Sequence, residues 1–183
     1  MPKNALEALL KVIHSLIDDE PKPNLHIGEA MSCWTYYAML KEAVSLEQIG
    51  MNTTKNPELY DVIEKSCSGA DSQTKRLEEF MRNEGVSLPP VSEPKPKSNP
   101  DGIPLGAKMT DDEIANIVSV KLVAAITFCA TAASQSVRND VGMMFLEFQT
   151  EAMRYSVLLK SVMKKRGWLK YPPEYVPPGL LKS

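Results

Sequence analysis

The distribution of proline limits where this chain can form long helices. Of its 14 prolines, six lie between residues 89 and 104 and four between residues 172 and 178, and beyond residue 23 only Pro57 lies elsewhere. Proline breaks a helix interior, because it lacks the amide hydrogen and clashes with the preceding turn, but it is accepted at the first helical position. Long helices are therefore expected in the three proline-free runs, which cover residues 24–56, 58–88 and 105–171.

Apolar residues in these runs recur at steps of three and four, which predicts amphipathic helices, and no alternating pattern predicts a strand. Known cap signals mark the helix ends. They are Asn56 before Pro57, Thr110 with Glu113, Asn139 before Val141, and the glycines Gly85 and Gly167. The predicted helices cover residues 5–18, 26–50, 57–84, 111–136 and 140–166.

Four of these helices have similar lengths and one apolar stripe each, which is typical of a four-helix bundle. In the first, the stripe contains Ala30, Trp34, Tyr37 and Val44, and residues 114–133 are apolar almost all round, as in a most deeply buried helix. Short loops make hairpins of residues 26–84 and 111–166, and a proline-rich crossover, 85–110, joins them. The predicted fold class is all-α: a ferritin-like four-helix bundle with one long Pro-rich crossover and an extra N-terminal helix.

The whole chain, 1–183, is predicted to be a single domain that ends in a proline-rich tail, 167–183. The crossover should lie extended over residues 86–107, held mainly by Leu88, Ile103 and Leu105. At the start of the tail, Gly167 can reverse the chain, so that Trp168 folds back and is largely buried against the bundle end.

Composition narrows the function classes. The chain has 183 residues, a net charge of −2, 43% hydrophobic and 24% charged residues, which suits a soluble protein and disfavours nucleic-acid binding. Its three cysteines are widely spaced and indicate reduced thiols, and the amphipathic start is unlike a signal peptide. The closest approach to a membrane span, 117–133, is interrupted by Lys121, so we expect no integral membrane segment and a cytoplasmic protein.

The residues that ferritin-like bundles use for two irons are missing. Such a centre needs inward glutamates and Glu-x-x-His patterns, but this chain has no Glu-x-x-His and only two histidines, His14 and His26. Catalytic triads and phosphate-binding loops are also absent from the sequence. We therefore predict no metal, no cofactor and no catalytic residues.

Polar residues take some of the positions that metal ligands would take. Lys41 falls on the stripe of Trp34 and Tyr37, Lys121 falls on the apolar stripe of its helix, and Glu151 lies at the edge of another. The three form a candidate interior polar cluster, a reworked site for a small ligand or a metal. The alternative is that each lysine extends its ammonium to the rim of the bundle.

Three further features have a functional and a structural interpretation. The pattern His26-x-x-Glu29 could supply two metal ligands, but solvation of a helix start is the simpler interpretation. The basic residues between 160 and 170 complement a helix C-terminus rather than indicate a nucleic-acid site. The leading segment carries Leu6, Leu9, Leu10, Ile13 and Ile17 on one face, which could contact a membrane or a partner, or pack on the bundle itself.

Short motifs at helix ends resemble a family of spore-forming Bacilli. The motifs are Leu25-His26-Ile27-Gly28-Glu29 with Trp34 and Tyr36-Tyr37, then Gly85-Val86-Ser87-Leu88-Pro89-Pro90, and Met163-Lys164-Lys165-Arg166-Gly167-Trp168-Leu169. They resemble an uncharacterised family related to spore coat protein F. The resemblance implies a ferritin-like bundle and a link to the spore coat, and it supplies no catalytic residue.

The sequence thus predicts a non-enzymatic structural protein that acts through packed surfaces in the cytoplasm or in the spore coat. Protein partners or self-association are expected. The alternative is a ferritin-like protein that binds a small ligand or a metal among Lys41, Lys121 and Glu151.

Overall fold

The computed structural model describes residues 22–175 and residue 177. Its α-helices are α1 (Ile27–Thr53), α2 (Pro57–Asn83), α3 (Asp111–Gln135) and α4 (Asn139–Arg166), with a short 3₁₀ turn at Pro100–Gly102. No strand occurs in this part of the chain, so the all-α prediction is confirmed and the four helix boundaries lie within three residues of those predicted. The predicted leading helix, 5–18, falls outside the described residues.

Local sequence explains where α1 begins. The imidazole Nδ1 of His26 accepts hydrogen bonds from the backbone N–H groups of Gly28 and Glu29, and the Glu29 carboxylate accepts one from the His26 N–H. This reciprocal capping box uses both side chains of the His-x-x-Glu pattern. The structure therefore supports the structural interpretation of that pattern, since His26 Nδ1 and the Glu29 carboxylate both bind backbone N–H groups at the helix start.

The other caps follow the predicted signals with one exception. Asn56 caps α2, Thr110 caps α3, and Gly85 and Gly167 adopt positive φ of 71° and 73°. The exception is Asn139, which is the first residue of α4 and not its cap; Arg138 occupies the cap position without a side-chain cap bond. A carboxylate from α1, described below, caps this helix instead.

The connections give each helix antiparallel neighbours. α1 and α2 form one hairpin and α3 and α4 the other, and the crossover returns to the end of α1, where Thr54 donates to the Asp111 carboxylate at 2.7 Å. The helices pack in the cyclic order α1, α2, α4, α3. This arrangement with one long crossover is the predicted ferritin-like topology.

Polar side chains of α1 hold the crossover in place. Gln48 accepts from the N–H of Lys95 at 2.7 Å, while Asn52 accepts from the N–H of residue 98 and donates to the carbonyl of residue 96. Leu88 packs on the core, but Leu105 is 92% exposed, so its predicted anchoring role is wrong. Hydrogen bonds to α1 replace it because the proline-rich backbone leaves carbonyls and amides with no internal partners.

The inner face of α1 differs from the predicted stripe. Tyr37 of the predicted stripe is buried, but Trp34 is 40% exposed, and the buried residues Cys33, Tyr36 and Leu40 each lie one position before a predicted one. The prediction was right for Tyr37 and wrong for Trp34, because α1 is apolar around most of its circumference and periodicity does not single out one face. The same reason explains α3, where Val120 lies exposed although the whole helix was expected to be the most buried.

The end of α4 has the predicted chain reversal. The Trp168 N–H donates to the carbonyl of Met163 and the Gly167 N–H donates to that of Lys164, as in a Schellman motif. Trp168 packs against the cluster of buried apolar residues that contains Leu159 and Met163, but it is only partly buried itself. The fold-back is therefore confirmed, while the expected burial is incomplete.

Candidate functional site

A buried carboxylate lies in the middle of the bundle. Glu47 of α1 is 0% exposed, and its Oε1 accepts a hydrogen bond from Ser66 Oγ of α2 at 2.5 Å. The Lys121 ammonium of α3 lies 2.6 Å from the same oxygen and also donates to the carbonyl of Ala43 at 3.4 Å. Three helices thus hold this ion pair, which satisfies the usual requirement that a buried charge be partnered.

A second polar network is centred on Gln73, which lies seven residues after Ser66 on α2. The Tyr36 hydroxyl donates to Gln73 Oε1 at 2.9 Å, and Gln73 Nε2 donates to Glu151 Oε2 at 2.7 Å. Arg76 Nη1 donates to the other oxygen of Glu151 at 2.9 Å. The Tyr36 ring stacks on Phe148, with centroids 5.7 Å apart. Burial raises the pKa of Tyr36 well above its usual range, so the phenol is a neutral donor.

A small cavity separates the two groups. Its volume is about 40 Å³, and Lys121, Ser66, Gln73 and Tyr155 contribute the polar part of a mostly apolar lining. Space of this order accommodates ordered water, but it is far below the ~300 Å³ of typical ligand pockets. One atom nearby has no hydrogen-bond partner among the described residues: the buried Glu47 Oε2.

The structure separates the three residues of the predicted interior cluster. Lys121 lines the cavity, and Glu151 reaches that cavity through its bond to Gln73. Lys41 is not part of the lining; its charge instead helps to lower the pKa of Glu78, after the hydrogen bonds from Arg82 and Tyr37. In the middle of the bundle the inward carboxylate of α1 is Glu47. It was not predicted, because the predicted stripe of α1 was rotated by about one residue.

A further ionic cluster closes the end of the bundle where α1 and α4 begin. The Arg138 guanidinium, which is almost fully buried, donates two hydrogen bonds to Glu84 and two to Asp140. These bonds hold the pKa of Asp140 down at about 2. The Glu29 Oε1 accepts from the N–H groups of Val137 and Arg138, both at 2.8 Å, and so caps α4 from α1.

The described side chains offer little for catalysis. Burial raises the pKa of Cys33 to about 12 and those of Cys67 and Cys129 to about 11, so that all three thiols stay protonated at neutral pH. Between residues 22 and 175 no three His, Cys, Asp or Glu side chains gather as metal ligands would. The arrangement can therefore hold water or a small polar molecule, but it presents no activated nucleophile.

Sequence reasoning missed the residues that join the helices. The missed residues are polar residues of a kind common in helices: Glu47, Ser66 and Gln73. The one nearby residue that could have indicated close packing is Gly69. A Cβ at this position would come 2.4 Å from the Tyr155 ring. A glycine within a helix costs about 1 kcal/mol relative to alanine, so its presence in α2 indicates a close approach.

Among the described helices, α3 is long and apolar enough to cross a membrane by length and composition alone. Its mean hydropathy in the most apolar window is 1.8, and only 28% of that window is buried. Lys121 lies within this helix and is paired with Glu47 of α1.

Comparisons with known proteins place the chain in a family. The family model described as "Protein of unknown function (DUF3231)" matches residues 16–181. The chain belongs to this family. The uncharacterized protein YvdQ of Bacillus subtilis is 28% identical over 155 residues, which cover 85% of this chain and 89% of YvdQ.

Two solved structures share the fold of this family member. A Bacillus halodurans structure described as that of a "putative spore coat protein" is 30% identical, with a TM-score of 0.82, and the match covers 85% of this chain and 98% of that one. A two-domain Anabaena variabilis protein with DJ-1/ThiJ/PfpI-like and ferritin-like domains gives a TM-score of 0.63 at 10% identity. That match covers 95% of this chain and 52% of the other, and it supports the fold alone.

Proposed function

We propose that the protein is a non-enzymatic helical bundle that serves as a structural subunit of an assembly at the forming spore surface. One contrast carries the proposal: the buried charges of Lys121 and Glu47 are paired with each other, whereas large apolar side chains lie exposed on the outside of the α3–α4 hairpin. Exposed apolar side chains are available for contacts with other chains.

The exposed apolar residues form one face. Three of them lie on the same side of α4, because steps of seven and then four residues separate them: Leu146, Met153 and Val157. The fourth, Val123, lies on the adjoining side of α3. The four side chains are 44–66% exposed. We call them the hairpin face. Contiguous exposed apolar patches are typical of protein–protein interaction sites, whereas single exposed apolar residues are common on soluble proteins.

One relative supports the proposed location. The Bacillus halodurans protein, which shares the fold at 30% identity, is described as a "putative spore coat protein". A coat is a protein assembly, and a subunit needs surfaces that recognise other chains rather than an active site. The hairpin face is the part of this molecule that best fits such a role.

Analytical ultracentrifugation tests the proposal on the full chain. The wild-type protein should sediment as a species larger than its 20.3 kDa chain, in a concentration-dependent way. The variant Met153→Glu with Val157→Glu should remain monomeric, because a charge in an apolar interface is costly. The matched control, Ser68→Glu with Ser72→Glu on the exposed side of α2, should self-associate like the wild type. A wild-type chain that stays monomeric up to millimolar concentration contradicts self-assembly through this face.

A specific observation favours a second function, the binding of a small polar molecule inside the bundle. The cavity of about 40 Å³ lies beside a buried ion pair, and Glu47 Oε2 lacks a hydrogen-bond donor. Native mass spectrometry and elemental analysis of purified protein test this alternative. A bound mass that disappears in the Ser66→Ala variant supports it, and a protein of bare chain mass contradicts it.

A further inference from the structure

The bundle has an open groove between α1 and α3. Trp34, Ala38 and Leu46 line it from α1, and Lys121 and Ala124 line it from α3. We call it the α1–α3 groove. Nearly all of its lining is apolar. Two charged side chains also line it, and both have partners: Lys121 pairs with Glu47, and Glu42 accepts a hydrogen bond from Ser92 of the crossover at 3.3 Å. Trp34 presents 40% of its surface to solvent there, so this groove leaves an indole partly uncovered.

The described chain enters at the end of the bundle from which α1 runs towards the groove. The Lys22 ammonium lies 3.1 Å from the Asp140 carboxylate, and Arg138 donates to the carbonyl of Pro23 at 3.3 Å. These contacts fix residues 22 and 23 at the end where α1 begins and α3 has finished. A segment that precedes Lys22 can therefore reach the groove from this end.

The length of the leading segment matches the groove. A helix over residues 5–18 would be about 21 Å long, at 1.5 Å per residue, and residues 19–21 add up to ~10 Å of extended chain. The stretch of α1 from Ile27 to Ala43 measures about 24 Å on the same scale. A helix that turned back at Lys22 would therefore run beside the groove as far as Lys121 and Ala124.

The pattern of the leading segment suits such a position. On a helix Leu6, Leu9, Leu10, Ile13 and Ile17 lie on one face, Glu7 lies at the edge of that face, and Lys11 points almost opposite to Ile13. A helix of 14 residues is marginal on its own in water, so it needs an apolar surface to form. The family model begins at residue 16, and hence most of this segment precedes the part shared with relatives.

We propose that residues 5–18 form an amphipathic helix that docks into the α1–α3 groove of the same chain, covers Trp34 and serves as a fifth helix of the bundle. The charged residues of the segment would then lie on its outer side. The proposal does not depend on the assembly role proposed above, because the hairpin face is on α4 and on the other side of α3.

Site-specific photocrosslinking tests the position of the segment in the full chain. A benzophenone amino acid in place of Leu10 should crosslink, after irradiation, to peptides of α1 and α3 that contain Trp34 or Ala124. The same amino acid in place of Lys11, on the charged face, should give little of that product. An equimolar mixture of ¹⁴N- and ¹⁵N-labelled protein distinguishes the occupants: crosslinks within one isotope support the proposal, and mixed-isotope crosslinks overturn it in favour of a second copy. Crosslinks outside the groove, or equal yields from both positions, also overturn it.

A groove variant supplies an independent readout. Ala124 is exposed in the described structure, so Ala124→Arg should not disturb α3 itself but should exclude an apolar helix from the groove. We expect tryptic cleavage after Lys11 to become at least roughly tenfold faster, because cleavage follows the population of the released segment. The control Ser68→Arg, on the exposed side of α2, should leave that rate unchanged. Equal cleavage rates in Ala124→Arg and wild type would refute the docking.

Discussion

Replacement of Lys121 by methionine tests how the bundle tolerates its buried carboxylate. Methionine keeps most of the length and the apolar stem of lysine but removes the ammonium that lies 2.6 Å from Glu47. Ser66 then remains as the side chain that donates to Glu47. Because Glu47 is 0% exposed, bulk solvent does not reach the carboxylate that has lost its charge partner.

The structure sets the size of the effect. Removal of one partner of a buried ion pair typically costs about 3–5 kcal/mol, and Lys121 itself keeps 18% of its side chain exposed, which favours the lower end. We therefore expect a loss of about 3 kcal/mol at pH 7. Urea unfolding followed by circular dichroism measures this loss.

A double variant provides the control. Lys121→Met combined with Glu47→Gln removes both charges, and the replacement of a buried ion pair by uncharged groups is often close to neutral. Its stability should lie within about 1 kcal/mol of the wild type at pH 7. A loss below about 1 kcal/mol for Lys121→Met alone, or an equal loss in the single and the double variant, would refute the view that Lys121 holds the buried Glu47 carboxylate.

Three other substitutions test the remaining contacts. Trp168→Ala should cost about 2 kcal/mol, less than for a fully buried tryptophan, because the indole is only partly buried. Lys170→Ala should change the thermal midpoint little, and equal midpoints for the two variants would contradict the fold-back of the tail. Asp140→Asn should remove the loss of stability that the wild type suffers as the pH falls from about 3.8 to about 2, because the lowered pKa of Asp140 stabilises the fold above that range; unchanged acid unfolding would argue against its role. Gly69→Ala should cost about 1–3 kcal/mol despite the better helix propensity of alanine, because the new methyl would lie 2.4 Å from the Tyr155 ring; a stability gain in urea would show that the ring moves away without penalty.

Local features of the sequence were sufficient for the helices and their order. The spacing of prolines, the cap residues Asn56 and Thr110 and the left-handed glycines Gly85 and Gly167 act within a few residues of the chain, and the structure places each where it was expected. The lengths of the connections then gave the hairpins and the crossover, because a short loop joins only neighbours.

The faces of the helices were harder to assign. α1 and α3 carry apolar residues around most of their surface, so that rotation by one residue changes the apolar pattern little but moves Glu47 into the core and Trp34 to the surface. For this reason Lys41 was predicted to face the interior, whereas Glu47, which does face it, was not predicted. Periodicity in one helix does not fix its rotation when polar residues are too few to mark an outside.

The sequence by itself determined the number, position and connection of the long helices, because caps, prolines and loop lengths act locally along the chain. Only the tertiary structure decided which polar residues meet. Glu47, Ser66 and Lys121 come from three helices and are up to 74 residues apart (121 − 47). Their pairing depends on the rotation of each helix against its neighbours. That rotation is set by the packing of all four helices together, and no single segment encodes it.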